Sequence, residues 1–292
     1  MKMLHLISTG FAACFLFASV SIAASNVTVP IWQDIDGRAR VTITVEDGRN
    51  FDFVIDTGMM NTVVMPELVE ALSLARQSED NTRPAISAIK VIIGGEIPFL
   101  IKSPTVLSNM KISEETVYGI LGSEFLQMYT IGLDLGAGIM VLSDSSAEDI
   151  FDDSEFAKVP MYSPFANLWM TEKIQIGQEY VTGFLDTGAN KTFINPVAIK
   201  KLDPDLVSTS PTQKGTARTG SSNAVAETYG AVIRQMRVGA RLWRDQDVLV
   251  TEGIFSQLRL AKIPAMVLGA DVLLSRRIIL DYQNRFVYFE LD

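Results

Sequence analysis

The sequence contains one histidine and one cysteine in 292 residues, and both lie near its start, at His5 and Cys14. They fall within residues 1–23, a segment with the features of a removable signal peptide. If this segment is cleaved, the remaining chain has neither residue. A Ser-His-Asp triad, a Cys-His pair, a zinc site of His and Cys ligands and a disulfide are then excluded. Acid–base chemistry would have to come from carboxylates, lysine or tyrosine.

Positive charge is also scarce, since 25 Lys and Arg residues stand against 34 Asp and Glu residues, for a formal net charge of -9. An acidic surface repels phosphate groups, so we expect neither nucleic acid nor an anionic membrane surface as a partner. Hydrophobic residues make up 48% of the chain and charged residues 20%, which is the composition of a globular protein.

Residues 1–23 resemble a secretory signal peptide. Lys2 gives a positive start, Met3 to Val20 is mostly apolar, and Ser21-Ile22-Ala23 places small residues at a cleavage site. An uncleaved anchor is the alternative, because the apolar run approaches the ~18–20 residues that span a bilayer. An exported chain without disulfides fits the bacterial periplasm or cell surface, and cleavage would leave no integral membrane span.

The chain contains an internal repeat whose first block is centred on an Asp-Thr-Gly tripeptide. Asp56-Thr57-Gly58 recurs as Asp186-Thr187-Gly188, a displacement of 186 - 56 = 130 residues. The same displacement places Thr62 on Thr192 and carries several apolar positions onto apolar positions. Agreement at so many positions in one register indicates a duplication.

A second block repeats further along the chain. Ile120-Leu121-Gly122 corresponds to Val267-Leu268-Gly269 at a displacement of 269 - 122 = 147, and Ile131 maps onto Ile278 in the same register. Each half therefore carries its motifs in the same order. We predict an N-terminal lobe at residues 24–142, a solvated acidic linker at 143–158 and a C-terminal lobe at 159–292.

Short β-rich runs around turn residues predict a mainly β protein. Hairpins are predicted between Thr42 and Ile55, Lys90 and Ile101, Lys173 and Leu185, and Asp281 and Glu290. One short helix per half is also predicted, with a proline at its start, as at Pro66.

Each Asp-Thr-Gly follows an apolar strand, so it places a carboxylate at the mouth of a buried strand. Glycine permits a sharp turn there, and the threonine hydroxyl can fix the loop. One such tripeptide is weak evidence in a chain of this length. Two in register, each followed by its own Leu-Gly block, are strong evidence for a paired site.

On these residues the sequence resembles the pepsin and retropepsin group of aspartic proteases, from about Val41 to the C-terminus. The resemblance implies an all-β, bilobal acid-protease fold, with two similar β-barrel lobes related by a pseudo-twofold axis. It also implies that the Asp-Thr-Gly loops meet at that axis, where Asp56 and Asp186 form a catalytic dyad. The supporting residues that it implies are Thr57, Gly58, Thr187 and Gly188, with the two threonine hydroxyls bracing the loops.

The resemblance further implies an endopeptidase acting on extended peptide or protein substrates, with no metal and no cofactor. Two adjacent carboxylates share one proton, as is known for aspartic proteases. The ionised carboxylate activates a water, while the protonated one polarises the scissile carbonyl. Both halves lie in one chain, so we expect a monomer. The alternative is a catalytically silent relative that binds peptides or envelope proteins in its cleft.

In the pepsin and retropepsin group, the residue after each Asp-Thr-Gly is usually serine, threonine or alanine. Ala189, after Gly188, conforms to the retropepsin type, whereas Met59, after Gly58, departs from the pattern. Neither side chain can donate a hydrogen bond to the neighbouring carboxylate. We therefore predict a weakly acidic rather than strongly acidic pH optimum. Met59 is also the residue that most favours the silent alternative, because it could crowd the dyad.

A substrate flap is predicted between the two blocks of the second half, at Gly215 to Tyr229, with Gly220, Ser221 and Ser222 at its turn. The matching space in the first half, Gln77 to Ala88, is short and polar. The alternative for the longer segment is a surface loop.

Other residues invite a functional interpretation, but a structural one is favoured. Asp134 and Asp281 follow terminal strands, and Glu124 and Asp271 follow the Leu-Gly blocks. We expect these four to make structural hydrogen bonds or ion pairs. Core positions are expected for the three tryptophans, Trp32, Trp169 and Trp243.

Overall fold

A computed structural model describes residues 26–74, 86–102, 104–107, 115–151, 154–165, 167–218 and 225–292. The predicted signal peptide at residues 1–23 lies outside the described residues, as do Gly220, Ser221 and Ser222 of the predicted flap. No helix in the described ranges is both long enough and apolar enough to cross a membrane.

Within the described ranges, the first half contains short strands and two short helices. In chain order they are β1 (Asn26–Gln33), β2 (Ala39–Val45), β3 (Asn50–Ile55), β4 (Val63–Val64), α1 (Pro66–Ala71), β5 (Ile89–Ile93), β6 (Ile97–Ile101), β7 (Thr105–Val106), β8 (Gly119–Leu121), α2 (Ser123–Leu126), β9 (Thr130–Asp134) and β10 (Ile139–Ser143).

The second half follows a 3-10 helix at Ala147–Asp149. Its elements are β11 (Phe156–Pro160), β12 (Tyr162–Phe165), β13 (Leu168–Ile176), β14 (Glu179–Leu185), β15 (Phe193–Ile194), α3 (Pro196–Lys201), β16 (Val207–Arg218), β17 (Val225–Val238), β18 (Arg241–Val250), α4 (Gly253–Gln257), β19 (Ala265–Leu268), α5 (Ala270–Leu273), β20 (Ile278–Asp281) and β21 (Phe286–Glu290).

The all-β fold class and the four predicted hairpins are confirmed, but the prediction of one helix per half is incomplete. The helices after Pro66 and Pro196 are present, as α1 and α3. The structure adds α2, α4 and α5, each of only four or five residues. A helix of about one turn is too short for the 3.6-residue periodicity to appear in the sequence.

The two halves pair their strands in the same way. In each half the strand before Asp-Thr-Gly lies parallel to the Leu-Gly strand, β3 beside β8 and β14 beside β19. Val54 is opposite Ile120, and Phe184 is opposite Val267. These are the residues that the two repeat displacements relate, so the sequence repeat is also a structural repeat.

One sheet is shared between the halves through antiparallel pairing of β9 with β20. Ile131 lies opposite Leu280, and Gly132 lies opposite Ile279. The repeat maps Gly132 onto Ile279 (279 - 132 = 147), so a residue pairs with its own counterpart. The pseudo-twofold axis therefore passes through this pair. The second-half sheet closes on itself through β13 and β17, which makes it a barrel.

The segment predicted as a solvated acidic linker is partly buried where it is described. Ala147 and Ile150 are buried and pack with Val141 and Ile279. A Cβ on Gly132 would lie 2.4 Å from Ile150 Cγ2, so the glycine leaves the space that Ile150 fills. Because the segment is mostly acidic and polar, the sequence did not predict the burial of Ala147 and Ile150.

Packing of the tryptophans follows the prediction for two of the three. Trp169 and Trp243 are buried. Trp32 is 36% exposed, so its prediction is wrong. It lies at the end of β1, opposite Arg40, on the face away from the core.

Candidate active site

The two Asp-Thr-Gly loops begin where the central strands of the two halves end. Asp56 follows β3, and its backbone N–H donates to Leu121 O at 3.1 Å. Asp186 follows β14 and donates in the same way to Leu268 O at 3.0 Å. Each Leu-Gly block therefore lies against its own loop and fixes the position of the aspartate.

The structure brings the two carboxyl groups together. Asp56 and Asp186 lie within hydrogen-bonding reach of each other. Each also lies over the glycine of the opposite loop: a Cβ on Gly58 would be 2.5 Å from Asp186 Cγ, and one on Gly188 would be 2.2 Å from Asp56 Cγ. Only glycine leaves room for this crossed arrangement, because real Cβ atoms do not approach other atoms so closely.

Backbone groups orient both carboxylates from their own loops. Gly58 N–H donates to Asp56 Oδ1 at 2.7 Å. Gly188 and Ala189 N–H groups donate to Asp186 Oδ1, each at 3.0 Å. These bonds favour the ionised form, and they do not require a serine or threonine after the glycine.

Burial raises the pKa of both carboxyl groups, and it is the largest cause for each. The negative charge of Asp186 raises the pKa of Asp56 further, and the net effect carries that pKa well above its ordinary value. Burial raises the pKa of Asp186 although hydrogen bonds from Ala189, Asp56 and Gly188 and the charge of Arg38 oppose it. The pair therefore retains one proton to a higher pH than an exposed aspartate would.

The two threonines form reciprocal hydrogen bonds between the loops. Thr57 Oγ1 donates to Leu185 O at 2.8 Å and accepts from Thr187 N–H at 3.1 Å. Thr187 Oγ1 donates to Ile55 O at 2.8 Å and accepts from Thr57 N–H at 3.1 Å. Both side chains are buried, so four hydrogen bonds join the halves directly beneath the carboxyl pair.

A second set of polar contacts stabilises the two Asp-Thr-Gly loops. Thr62 N–H donates to Glu124 Oε1 at 3.0 Å, and Thr192 Oγ1 donates to Asp271 Oδ1 at 2.7 Å. The structural roles predicted for Glu124 and Asp271 are thus confirmed. Sequence reasoning missed Ser123, whose buried hydroxyl donates to Thr57 O at 3.0 Å.

The structural roles predicted for Asp134 and Asp281 are confirmed as well. Asp134 Oδ1 accepts from Ala137 N–H at 2.8 Å, and Asp281 accepts from both nitrogens of Asn284. Both carboxylates therefore serve the turns that join their strands.

Sequence reasoning also missed a buried charged cluster in the first half, formed by Asp34, Arg38 and Arg40. Asp34 Oδ2 lies 3.5 Å from Arg38 Nε and 3.3 Å from Arg40 Nε. The repeat itself contained a signal: a displacement of 130 maps the three charged residues onto Pro164, Leu168 and Met170. A charged cluster present in only one half of a duplicated protein marks a difference between the halves.

The strands on either side of the predicted flap residues are described. β16 and β17 pair from Val207 opposite Ile233 to Arg218 opposite Val225. Gly220, Ser221 and Ser222 lie beyond these pairs, outside the described residues, so their role stays a prediction. Across the described ranges, no group of three or more His, Cys, Asp or Glu side chains is arranged to hold a metal ion.

We expect the substitution Thr57→Val to lower the free energy of unfolding by about 2–4 kcal/mol, because it leaves Leu185 O and Thr187 N–H buried and unpaired. Thr187→Val is expected to act equally, since its bonds are the symmetric counterparts. Urea unfolding measures the effect. Thr57→Ser is the matched control, since it keeps the hydroxyl. Equal stability of Thr57→Val and Thr57→Ser would contradict the bracing role.

Comparison with known protein families matches part of the second half. Residues 173–272, about a third of the chain, match the sequence profile of the aspartyl protease family. The matched range contains the Asp186 loop and the second Leu-Gly block, and the first half lies outside it. No curated protein matches the chain at a significant level. The profile match supports assignment of this region to the aspartic proteases.

Proposed function

We propose that this protein is an aspartic endopeptidase whose catalytic dyad is Asp56 and Asp186. The observation that carries the proposal is the placement of the two carboxyl groups within hydrogen-bonding reach, each over the opposite glycine. Such crowding raises the pKa of buried carboxyls at a cost in stability. A protein that only binds peptides has no physical need for it.

The geometry supports a mechanism of general acid–base catalysis on a water. In the singly protonated pair one carboxylate is ionised, and backbone N–H groups of its own loop donate hydrogen bonds to each of the two side chains. The ionised carboxylate takes a proton from a water that attacks the scissile carbonyl, while the protonated carboxyl group donates a hydrogen bond to the carbonyl oxygen. A proton passed to the leaving nitrogen completes hydrolysis and returns the pair to one proton.

The silent peptide-binding alternative rests on Met59. Its backbone carbonyl accepts from Ser123 N–H at 2.8 Å, as Ala189 O accepts from Ala270 N–H at 2.7 Å. The backbone of the first loop is therefore held in the same way as that of the second. This likeness favours the enzyme, because the methionine has not displaced the loop.

We further propose that the protein is exported, by means of residues 1–23, to the periplasm or cell surface of a bacterium. There it would act on extended peptide segments as a single chain.

We expect the purified protein to cleave extended peptides with an optimum at weakly acidic pH, and a statine-type inhibitor to abolish the cleavage. The raised pKa of both carboxyls keeps the pair singly protonated at higher pH than exposed aspartates would allow. Activity should fall as the pair loses its last proton. Mass spectrometry of a peptide library, measured from pH 2 to pH 8, tests this expectation. An optimum near pH 2 would contradict the pH argument, and no statine-sensitive cleavage at any pH would contradict the function.

A further inference from the structure

Strand β6 is an edge strand whose outer side has no partner in the part of the chain that the structure describes. It pairs along its whole length with β5, from Ile93 opposite Ile97 to Ile89 opposite Ile101, and with no other described strand. Pro98 lies within it, and proline is tolerated in sheets mainly at their edges because it lacks an N–H group. An edge of this kind can accept a further strand.

The backbone groups of Pro98 and Leu100 face away from β5. Hydrogen-bonded and non-bonded pairs alternate along an antiparallel ladder. Pro98 lies opposite Ile92 and cannot donate to it, so this pair and the Lys90–Leu100 pair are assigned as the non-bonded ones. The outer side of β6 therefore presents one N–H group, from Leu100, and the carbonyl oxygens of both residues.

The outer face of the sheet beside this edge is apolar. Ile92 and Leu100 are 41% and 40% exposed, and Pro98, opposite Ile92, is exposed as well. Together with Thr44 they line a groove of about 430 Å³ across β2, β5 and β6. Single exposed apolar side chains are ordinary, but three neighbours beside an unpaired edge form a surface that favours contact with another chain.

The charged residues around β6 lie at its two ends. Glu96 precedes the strand and Lys102 follows it, each three residues from Phe99, and both are exposed. If an antiparallel strand of the same sequence pairs about Phe99, Glu96 of each strand lies opposite Lys102 of the other. Opposite charges in such cross-strand positions attract, whereas a parallel copy in register would place like charges side by side.

We propose that β6 is the interface of a homodimer, in which the β6 strands of two copies pair antiparallel about Phe99. Such an interface is isologous, because the same strand serves both copies. Leu100 N–H of each copy donates to the partner's Pro98 O, and the two side chains pack together on the outer face. The attraction between Glu96 and the partner's Lys102 occurs twice and fixes the register.

This dimer does not contribute to the carboxyl pair. Asp56 and Asp186 belong to one chain and lie together within it, so each copy holds its own complete pair. The expectation of a monomer rested on both halves lying in one chain, a reason that concerns the site and leaves the edge at β6 open. The inference therefore goes beyond the proposed function and does not depend on it.

Sedimentation equilibrium of the purified protein, from low micromolar concentration to about 1 mM, tests the proposal. The wild type should show a reversible equilibrium between monomer and dimer. Glu96→Lys and Lys102→Glu each place like charges opposite one another twice, so each should weaken dimerisation by about ten-fold or more. A double variant with both substitutions should regain the wild-type dimer, because its charges are complementary again.

An equimolar mixture of the two single variants tests whether the charges act across the interface. In the mixed dimer each of these charges faces an opposite one, so it should form in preference to either homodimer. Asp247→Lys is the matched control, because Asp247 is an exposed acidic residue of β18 in the other half. It should leave dimerisation unchanged.

A wild type that stays monomeric up to about 1 mM would overturn the inference. So would a dimer that neither single variant weakens, since it would use another surface. Failure of the double variant or of the mixture to regain dimerisation would also contradict it, because the single substitutions would then act by local damage.

Extended peptides that occupy the edge in place of a second copy would give a different result. The wild type would then be monomeric, and Leu100→Lys would raise the KM for peptide cleavage, which contradicts the dimer. Dimerisation itself is measured without peptide cleavage. A dimer with the expected charge dependence in a protein that cleaves no peptide would therefore leave this inference standing while the proposed function fails.

Discussion

Replacement of Asp56 or Asp186 by asparagine is expected to reduce peptide cleavage by about 1,000-fold or more, because a neutral amide can neither take the proton of water nor share one with its partner. The side-chain volume hardly changes, and the amide oxygen can still accept the backbone N–H groups that now bind each carboxylate. The loss therefore reports chemistry rather than loop geometry. Peptide turnover at the optimum pH of the wild type measures it.

The pH dependence of the stability of Asp56→Asn tests whether this variant folds as the wild type does. Burial raises the pKa of Asp56 in the folded state, so the folded protein binds more protons than the unfolded chain above about pH 4. The wild type then loses stability as the pH rises through the folded pKa. Asp56→Asn lacks this loss, so it should be more stable than wild type at pH 7. Urea unfolding at pH 4 and pH 7 shows whether it is.

Asp134→Asn is the matched control for both measurements, because its carboxylate serves a turn and lies outside the pair. It should keep wild-type cleavage. Variants of Asp56 and Asp186 that fold normally and cleave like the wild type would show that the proposed dyad is wrong.

Replacement of Gly58 or Gly188 by alanine should reduce cleavage by about 100-fold or more, since displacement of a reacting group by an ångström is enough for a loss of that size. A methyl group on Gly188 would overlap the Asp56 carboxyl, and one on Gly58 would overlap the Asp186 carboxyl. Neither glycine has a positive φ, so the expected effect comes from the lost space and not from backbone strain. The dyad would have to separate.

Gly136→Ala is the control for this pair, because Gly136 is exposed and its added Cβ would lie 3.3 Å from the nearest atom. Turnover and the affinity for a statine-type inhibitor should fall together in Gly58→Ala and Gly188→Ala, and neither should change in Gly136→Ala. Full activity in Gly188→Ala would mean that the two carboxyls need not lie so close.

Much of the fold could be predicted because its signals are local and occur twice. An apolar strand, a sharp turn at Asp-Thr-Gly and a later Leu-Gly strand are each encoded within a few residues. The duplication then distinguishes them from chance. The same argument led from the sequence to Asp56 and Asp186, and to the structural roles of Glu124 and Asp271.

The missed features share a different physical origin. Helix α2 is a single turn, so it has no periodicity to detect. Ile150 is buried only because Gly132 leaves a space in a sheet whose strands come from distant parts of the chain. Trp32 has the side chain of a core residue, but it lies on the outer face of β1.

By itself, the sequence determined the duplication, the β-rich pattern and the pair of aspartates, since each of these features is recognisable from a few neighbouring residues. Only the tertiary structure decided that Thr57 and Thr187 bind each other's loops, that each glycine lies under the opposite carboxyl, and that Arg38 is buried. These are contacts between residues more than 100 positions apart, or charges whose effect depends on burial. Neither distance in space nor dielectric environment can be read from neighbours along the chain.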